Sequence, residues 1–132
     1  MRSQIIIDTN VLVYATFRDS EYHAEAYGIL QRGNVVIPYI VLYEYLWVLA
    51  KLTGSLEVIK VKLNELRDFP ILHEDLDTIY NGLTLMEQDN ASITMLNDYI
   101  ILSIALKRNA YLATYDRKLR RIANKYGVNV IP

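Results

Sequence analysis

The stretch Ile5-Ile6-Ile7-Asp8-Thr9-Asn10-Val11-Leu12 decides the fold. Three β-branched residues in a row make a short strand with no polar side, so both of its faces must be covered. Asp8, a favoured helix N-cap, then leads into a helical stretch over about residues 10–17. A buried strand passed directly to a helix is the first half of a crossover unit, and the pattern recurs. Residues 35–37 form a second strand, closed by Pro38. Residues 71–72, 111–114 and 128–131 supply three more. Between them the spacing predicts helices over 20–32 with Ser20 as cap, over 39–52 stopped by Gly54, and from Ser55 to Pro70. Further helices open at Asp75, at Asn97 or Asp98, and at Asp116, the last ended by Gly127. The five glycines and three prolines read as punctuation between elements. Strands that alternate with helices need crossovers, and crossovers build a parallel sheet. The fold class is therefore α/β: three layers, α/β/α, around a central parallel sheet of four to five short strands. At 132 residues the chain has the length of a single domain, 1–132, able to bury a core without staples.

Composition narrows the chemistry. Hydrophobic residues are 52% and charged residues 22%, which excludes a disordered chain or a polyelectrolyte arm. There is no cysteine, so disulfides, thiolate nucleophiles and Cys-ligated metals are excluded. His23 and His73 have no partner spacing and receive no role. Arg2 is followed by only Ile5, Ile6 and Ile7 before Asp8, too short an apolar run for a signal peptide. The most apolar segment, residues 37–52, is interrupted by Glu44 and Lys51 and falls short of a membrane span. A cytoplasmic protein without membrane association is expected. The net charge of −1 argues at first against nucleic acid as partner. Its distribution argues otherwise: residues 68–98 carry seven acids and no base, and residues 99–132 carry seven bases against Asp116 alone.

In parallel α/β sheets, ligands bind outside the carboxyl ends of the strands. Asp8 directly follows the first strand and Asp116 follows the strand at 111–114. Asp98 lies at a helix start that can share the same rim. Each of the three also reads simply as a helix cap. Glu44 is harder to place as a surface residue, because the helix around it, Tyr39-Ile40-Val41-Leu42-Tyr43-Glu44-Tyr45-Leu46-Trp47, has little polar surface. A lone buried carboxylate costs several kcal/mol (about 3–5 when its partner is missing) unless it is paired, protonated or metal-bound. Acids gathered without bases repel one another unless a divalent cation compensates. All-oxygen ligands point to Mg²⁺ or Mn²⁺ and not to zinc.

These residues resemble the PIN-domain ribonucleases, and among them the VapC toxins of VapBC toxin–antitoxin pairs. The opening strand with Asp8-Thr9-Asn10 is similar to the family's first motif. Glu44 in Val41-Leu42-Tyr43-Glu44-Tyr45-Leu46 is similar to the second, an acid on a helix. Asn97-Asp98-Tyr99-Ile100-Ile101-Leu102 is similar to the third, and Ala113-Thr114-Tyr115-Asp116 to the fourth. The four motifs span the whole chain in the family's order. The resemblance implies a PIN-like fold and a Mg²⁺- or Mn²⁺-dependent endoribonuclease that leaves a 5′-phosphate and a 3′-hydroxyl. It implies that Asp8, Asp98 and Asp116 hold one ion, with Glu44 completing the site and one or two ions bound in all. Asn10 would orient Asp8 or a metal-bound water, and Thr114 would hydrogen-bond within the site. A VapB-like antitoxin partner and a homodimer are implied in the same way. One departure is visible. Many relatives carry a further acid two or three residues after the fourth-motif aspartate, where this chain has Lys118 and Leu119.

Two other features bear on RNA. The basic run Arg117, Lys118, Arg120 and Arg121 directly follows Asp116 and reads either as a guide for the RNA backbone or as a solvated helix face. Tyr14, Tyr39, Tyr43 and Tyr45, with Phe17 and Trp47, read as base-stacking residues or as core and interface. Other readings of the chain are an RNA-processing nuclease outside any toxin pair, an inactive PIN-like binding module, and a phosphoryl-transfer protein with an aspartate after its first strand. The last lacks the paired Asp-x-Asp and has no use for Glu44 on a helix.

Overall fold

β1 (Ile5–Ile7) forms where expected, and all three isoleucines are buried. In the computed structural model, which describes residues 3–132, it is the centre of a five-stranded sheet. Arg2, named above for targeting, lies outside the described residues. The other strands are β2 (Val35–Pro38), β3 (Ile71–Leu72), β4 (Tyr111–Ala113) and β5 (Val130–Ile131). Their order is β3-β2-β1-β4-β5 and every pairing is parallel, with Ile6 opposite Val36 on one side and Leu112 on the other. Central parallel strands are buried on both faces, which is why the β1 sequence shows no alternation.

The helices are α1 (Thr9–Thr16), α2 (His23–Leu30), α3 (Tyr39–Thr53), α4 (Leu56–Glu65), α5 (Leu76–Asp89), α6 (Leu96–Arg108) and α7 (Arg117–Lys125), with a 3₁₀ turn at Ile93–Met95. The sheet grows one way through α1–α4 and the other way through α5–α7. Right-handed crossovers therefore put the two groups on opposite faces. The packing agrees: α1 packs on α2 and α3, whereas α6 packs on α5 and α7. The reversal in growth falls between β1 and β4. That is the switch point at which the carboxyl ends of two neighbouring strands open a crevice.

Several helix ends follow the sequence. Ser55 caps α4 through Val58 N, Asp75 caps α5 through Thr78 N, and Gly54 closes α3 in the left-handed region at φ 60°. Others do not. α2 begins at His23 and not at Ser20, because the Ser20 hydroxyl is used to donate to the Tyr14 carbonyl at 2.8 Å. α6 begins at Leu96, so Asn97 and Asp98 lie within its first turn and neither is the cap. The preceding 3₁₀ turn leads the chain into the helix without a side-chain cap. β5 is only two residues long, beginning after Gly127 and Val128 instead of at Val128.

Gly82 is not punctuation. It sits in the interior of α5, buried, and a Cβ there would lie 3.0 Å from the Tyr99 carbonyl oxygen and 3.3 Å from the Ile100 Cα and N. The glycine lets α5 lie directly on the backbone of α6, one and two residues beyond Asp98. A second tie fixes the same region. Asp89 at the end of α5 accepts hydrogen bonds from the Tyr99 and Tyr126 hydroxyls, each at 2.7 Å, and pairs with Lys125. Those three donors hold its carboxyl down at about 2. No described helix is long and apolar enough to cross a membrane.

Candidate active site

Asp8 is the innermost of the four predicted acids, only 6% exposed at the end of β1. One oxygen caps α1, accepting from Thr9 N at 2.8 Å. The other accepts from the Thr114 hydroxyl at 2.7 Å and from Asn10 Nδ2 at 3.2 Å. A carboxylate has two oxygens, so the cap reading and the site reading of Asp8 are compatible. Burial raises its pKa, the three hydrogen bonds oppose that shift, and the charge of Asp116 adds to it.

Thr114, fully buried just after β4, joins the two strand ends. It donates to Asp8 and accepts from Asp116 N at 3.0 Å. Asn10 Nδ2 also reaches its oxygen, at 3.4 Å, while Asn10 Oδ1 accepts from Tyr115 N at 3.1 Å. Asp116 Oδ1 caps α7 through Lys118 N and Leu119 N at 2.8 and 3.1 Å. The expected roles of Asn10 and Thr114 thus have a geometric basis, since both cross-link the loops after β1 and β4. Thr114→Val keeps the shape but leaves one Asp8 oxygen with Asn10 Nδ2 alone and the Asp116 N–H without its acceptor. We expect a loss of about 1–3 kcal/mol in denaturant unfolding, with weaker cleavage of any substrate because Asp8 loses its orientation.

Glu44, on α3, is half-buried and held by Asn97 Nδ2 at 3.2 Å. Burial raises its pKa, and the charge of Asp8 raises it further. Among the described residues the buried Thr9 hydroxyl has no hydrogen-bond partner, and it lies near enough to Glu44 to favour its ionised form. Asp98 is the most exceptional. It is half-buried, and among the described residues its carboxylate accepts no hydrogen bond and makes no ion pair. Burial raises its pKa to about 7, and the charges of Asp8, Asp116 and Glu44 all push the same way, against a smaller pull from Lys118. All four predicted acids are therefore gathered at the β1/β4 switch point from four separate elements, close enough to feel one another.

This all-oxygen, mutually repelling set fits a hard divalent cation by its chemistry. Among the described residues Asp98 has no donor and Thr9 no partner, and such an ion and its waters would satisfy both. As the side chains stand, no group of three among the described residues forms a ready metal cage.

A PIN domain model matches residues 5–125. The chain belongs to the PIN domain family. Solved structures agree with the assignment. VapBC2 from Rickettsia felis, bound to a DNA fragment from its promoter, is 26% identical, with a TM-score of 0.71 and 96% of each chain covered. VapC20 of Mycobacterium tuberculosis, described as a sarcin–ricin loop cleaving toxin, has a TM-score of 0.75 at 14% identity, over 90% of this chain and 95% of that one. FitAcB of Neisseria gonorrhoeae has a TM-score of 0.71 at 20% identity, over 98% and 97% of the two chains. The latter two are likenesses of fold. No curated protein sequence matches. The resemblance read from the four motifs, and the three-layer parallel fold inferred with it, are those of this PIN domain.

The remaining expectations divide. Arg117, Lys118 and Arg121 are exposed on α7. Arg120 is instead used internally: its guanidinium donates to the Thr114 carbonyl at 2.9 Å and the Pro132 carbonyl at 2.8 Å. Tyr45 is core, 2% exposed, with its hydroxyl 2.6 Å from that of Thr16. Tyr43 and Trp47 lie on the open side of α3 at 62% and 63% exposure, and Lys51 covers the Trp47 ring. Sequence reading missed Asn97 as the partner of Glu44, because residues 53 apart carry no mutual signal. It also missed Tyr22 and Tyr115, which pack together beside the site.

Proposed function

We propose that this PIN domain is a Mg²⁺- or Mn²⁺-dependent endoribonuclease and the toxin of a toxin–antitoxin pair. The observation that carries the proposal is Asp98, half-buried beside three other carboxylates with neither a hydrogen-bond donor nor an ion pair among the described residues. The PIN family and the likeness to toxin subunits of VapBC complexes support the biological role. A bound divalent ion would supply a water of lowered pKa and positive charge against the phosphate. Asp8, Asp98, Asp116 and Glu44 would hold it, with one or two ions bound in all. Asn10 and Thr114 fix the direction of the Asp8 carboxylate, and Asn97 fixes that of Glu44. The proton that Asp98 retains near neutral pH would leave as the cation arrives. Arg117, Lys118 and Arg121 stand next to Asp116 and would draw in the RNA backbone. A VapB-like antitoxin, a homodimer with Tyr43 and Trp47 on its apolar surface, and a cytoplasmic location complete the reading.

Total RNA incubated with the protein and Mg²⁺ should be cut at discrete positions, leaving 5′-phosphates, and EDTA should stop the reaction. Calorimetry with Mn²⁺ should show saturable binding that Asp8→Ala removes or weakens by at least about 10-fold. A protein that neither cuts RNA nor binds Mn²⁺ saturably would be an inactive binding module, and the proposal would be wrong.

A further inference from the structure

Three tyrosine rings from three separate segments meet beside the acids. Tyr22, just before α2, stacks on Tyr115, with ring centroids 4.6 Å apart and planes at 14°. Tyr14 of α1 meets both edge-on, at 5.4 Å from Tyr22 and 5.1 Å from Tyr115. Tyr115 lies between Thr114 and Asp116 and is fixed at both ends. Its N–H donates to Asn10 Oδ1 at 3.1 Å, and its hydroxyl donates to Glu25 at 2.9 Å. Tyr14 and Tyr115 are half-buried, whereas Tyr22 is 37% exposed. The outermost ring of a rigid aromatic stack therefore meets solvent next to the acids.

We propose that Tyr22, backed by Tyr115 and Tyr14, is the stacking platform for an unpaired base of the RNA beside the bond that is cut. This rests on the ribonuclease reading above. Unpaired bases are recognised by stacking on aromatic rings, and a ring already locked by neighbours loses little freedom when a base lands on it. The ribonuclease reading and the place of Tyr115 between Thr114 and Asp116 make an RNA base the occupant of this ring. Arg18, Arg117 and Lys118 are exposed in the segments that carry the stack, and Lys118 is near enough to Asp98 to influence it. Of the acids around the stack, Glu25 accepts from the Tyr115 hydroxyl, while Asp19 and Glu21 are exposed beside Tyr22. The platform commits the site to single-stranded or looped RNA, since a base held in a duplex has no free face to offer.

The test uses an oligonucleotide spanning a mapped cleavage position. Tyr22→Ala and Tyr22→Leu should raise KM about 10-fold with kcat nearly unchanged, and Tyr22→Phe or Tyr22→Trp should restore wild-type values. Tyr22→Leu keeps apolar bulk against Tyr115, so packing alone cannot account for its defect. A 2-aminopurine placed on either side of the cleaved bond should be quenched by the wild-type protein in EDTA and not by Tyr22→Leu. If Tyr22→Ala cuts with wild-type KM, if no 2-aminopurine position is quenched by the wild type, or if Tyr22→Leu behaves as Tyr22→Phe, the platform is refuted while the ribonuclease stands. A wild-type protein that cuts no RNA with Mg²⁺ overturns both readings at once.

Discussion

Asp98→Asn should lower RNA cleavage by at least about 100-fold while making the metal-free protein more stable at neutral pH. The two effects have one cause. The substitution preserves the size of the side chain but removes a charge that burial, and then Asp8, Asp116 and Glu44, disfavour. In the proposed site that charge would be a ligand when a cation is bound and a defect without one. The sign with pH follows from where the proton sits. An unfolded aspartate titrates near about 3.9, whereas Asp98 in the folded protein titrates at about 7. Between those values the folded state binds more protons than the unfolded state, so stability falls as pH rises through this window. Above about 7 the penalty is fully present. Thermal unfolding in EDTA should therefore show the wild type losing stability from pH 4 to pH 7 more steeply than Asp98→Asn. Mn²⁺ should stabilise the wild type most at the high end of that range. A mutant that cuts RNA at the wild-type rate, or an EDTA profile identical to wild type, removes Asp98 from the site.

Gly82→Val should destabilise the protein by about 2–3 kcal/mol and damage the site without touching it. The atoms that a new side chain would meet, the Tyr99 carbonyl and the Ile100 Cα and N, are backbone and cannot rotate away. α5 or α6 must move, and the displaced turn of α6 is the one that carries Asp98. Gly82→Ala is the informative control. It gains about 1 kcal/mol of helix propensity but meets the same backbone, so its loss should be much the smaller. For a chain of this size Gly82→Val should lower Tm by roughly 10 °C, with Mn²⁺ affinity falling alongside. An unchanged Tm would mean that α5 and α6 are not held at this spacing.

Much of the candidate site was legible because its acids sit at positions that local rules single out. Asp8 and Asp116 immediately follow strands of a parallel sheet, and Glu44 is an acid on an otherwise apolar helix. The order of the motifs then pointed to a family. The three-layer fold was legible for a similar reason: Ile5–Ile7 shows no alternation because both faces of a central parallel strand are covered. Helix starts were less legible. Ser20 has the chemistry of a cap but gives its hydroxyl to Tyr14, and α6 starts without a side-chain cap at all. Capping competes with every other partner that tertiary packing brings within reach.

The sequence by itself determined which groups could do chemistry and that Asp8 and Asp116 follow the carboxyl ends of strands, because strand patterning is a local property. Only the tertiary structure decided how those groups are held. Thr114 between Asp8 and Asp116, Asn97 on Glu44, Arg120 turned inward, and Gly82 against the α6 backbone all join residues far apart in the chain. The strand order that puts β4 beside β1 brings them together, and no local pattern encodes which distant donor a given carboxylate will meet.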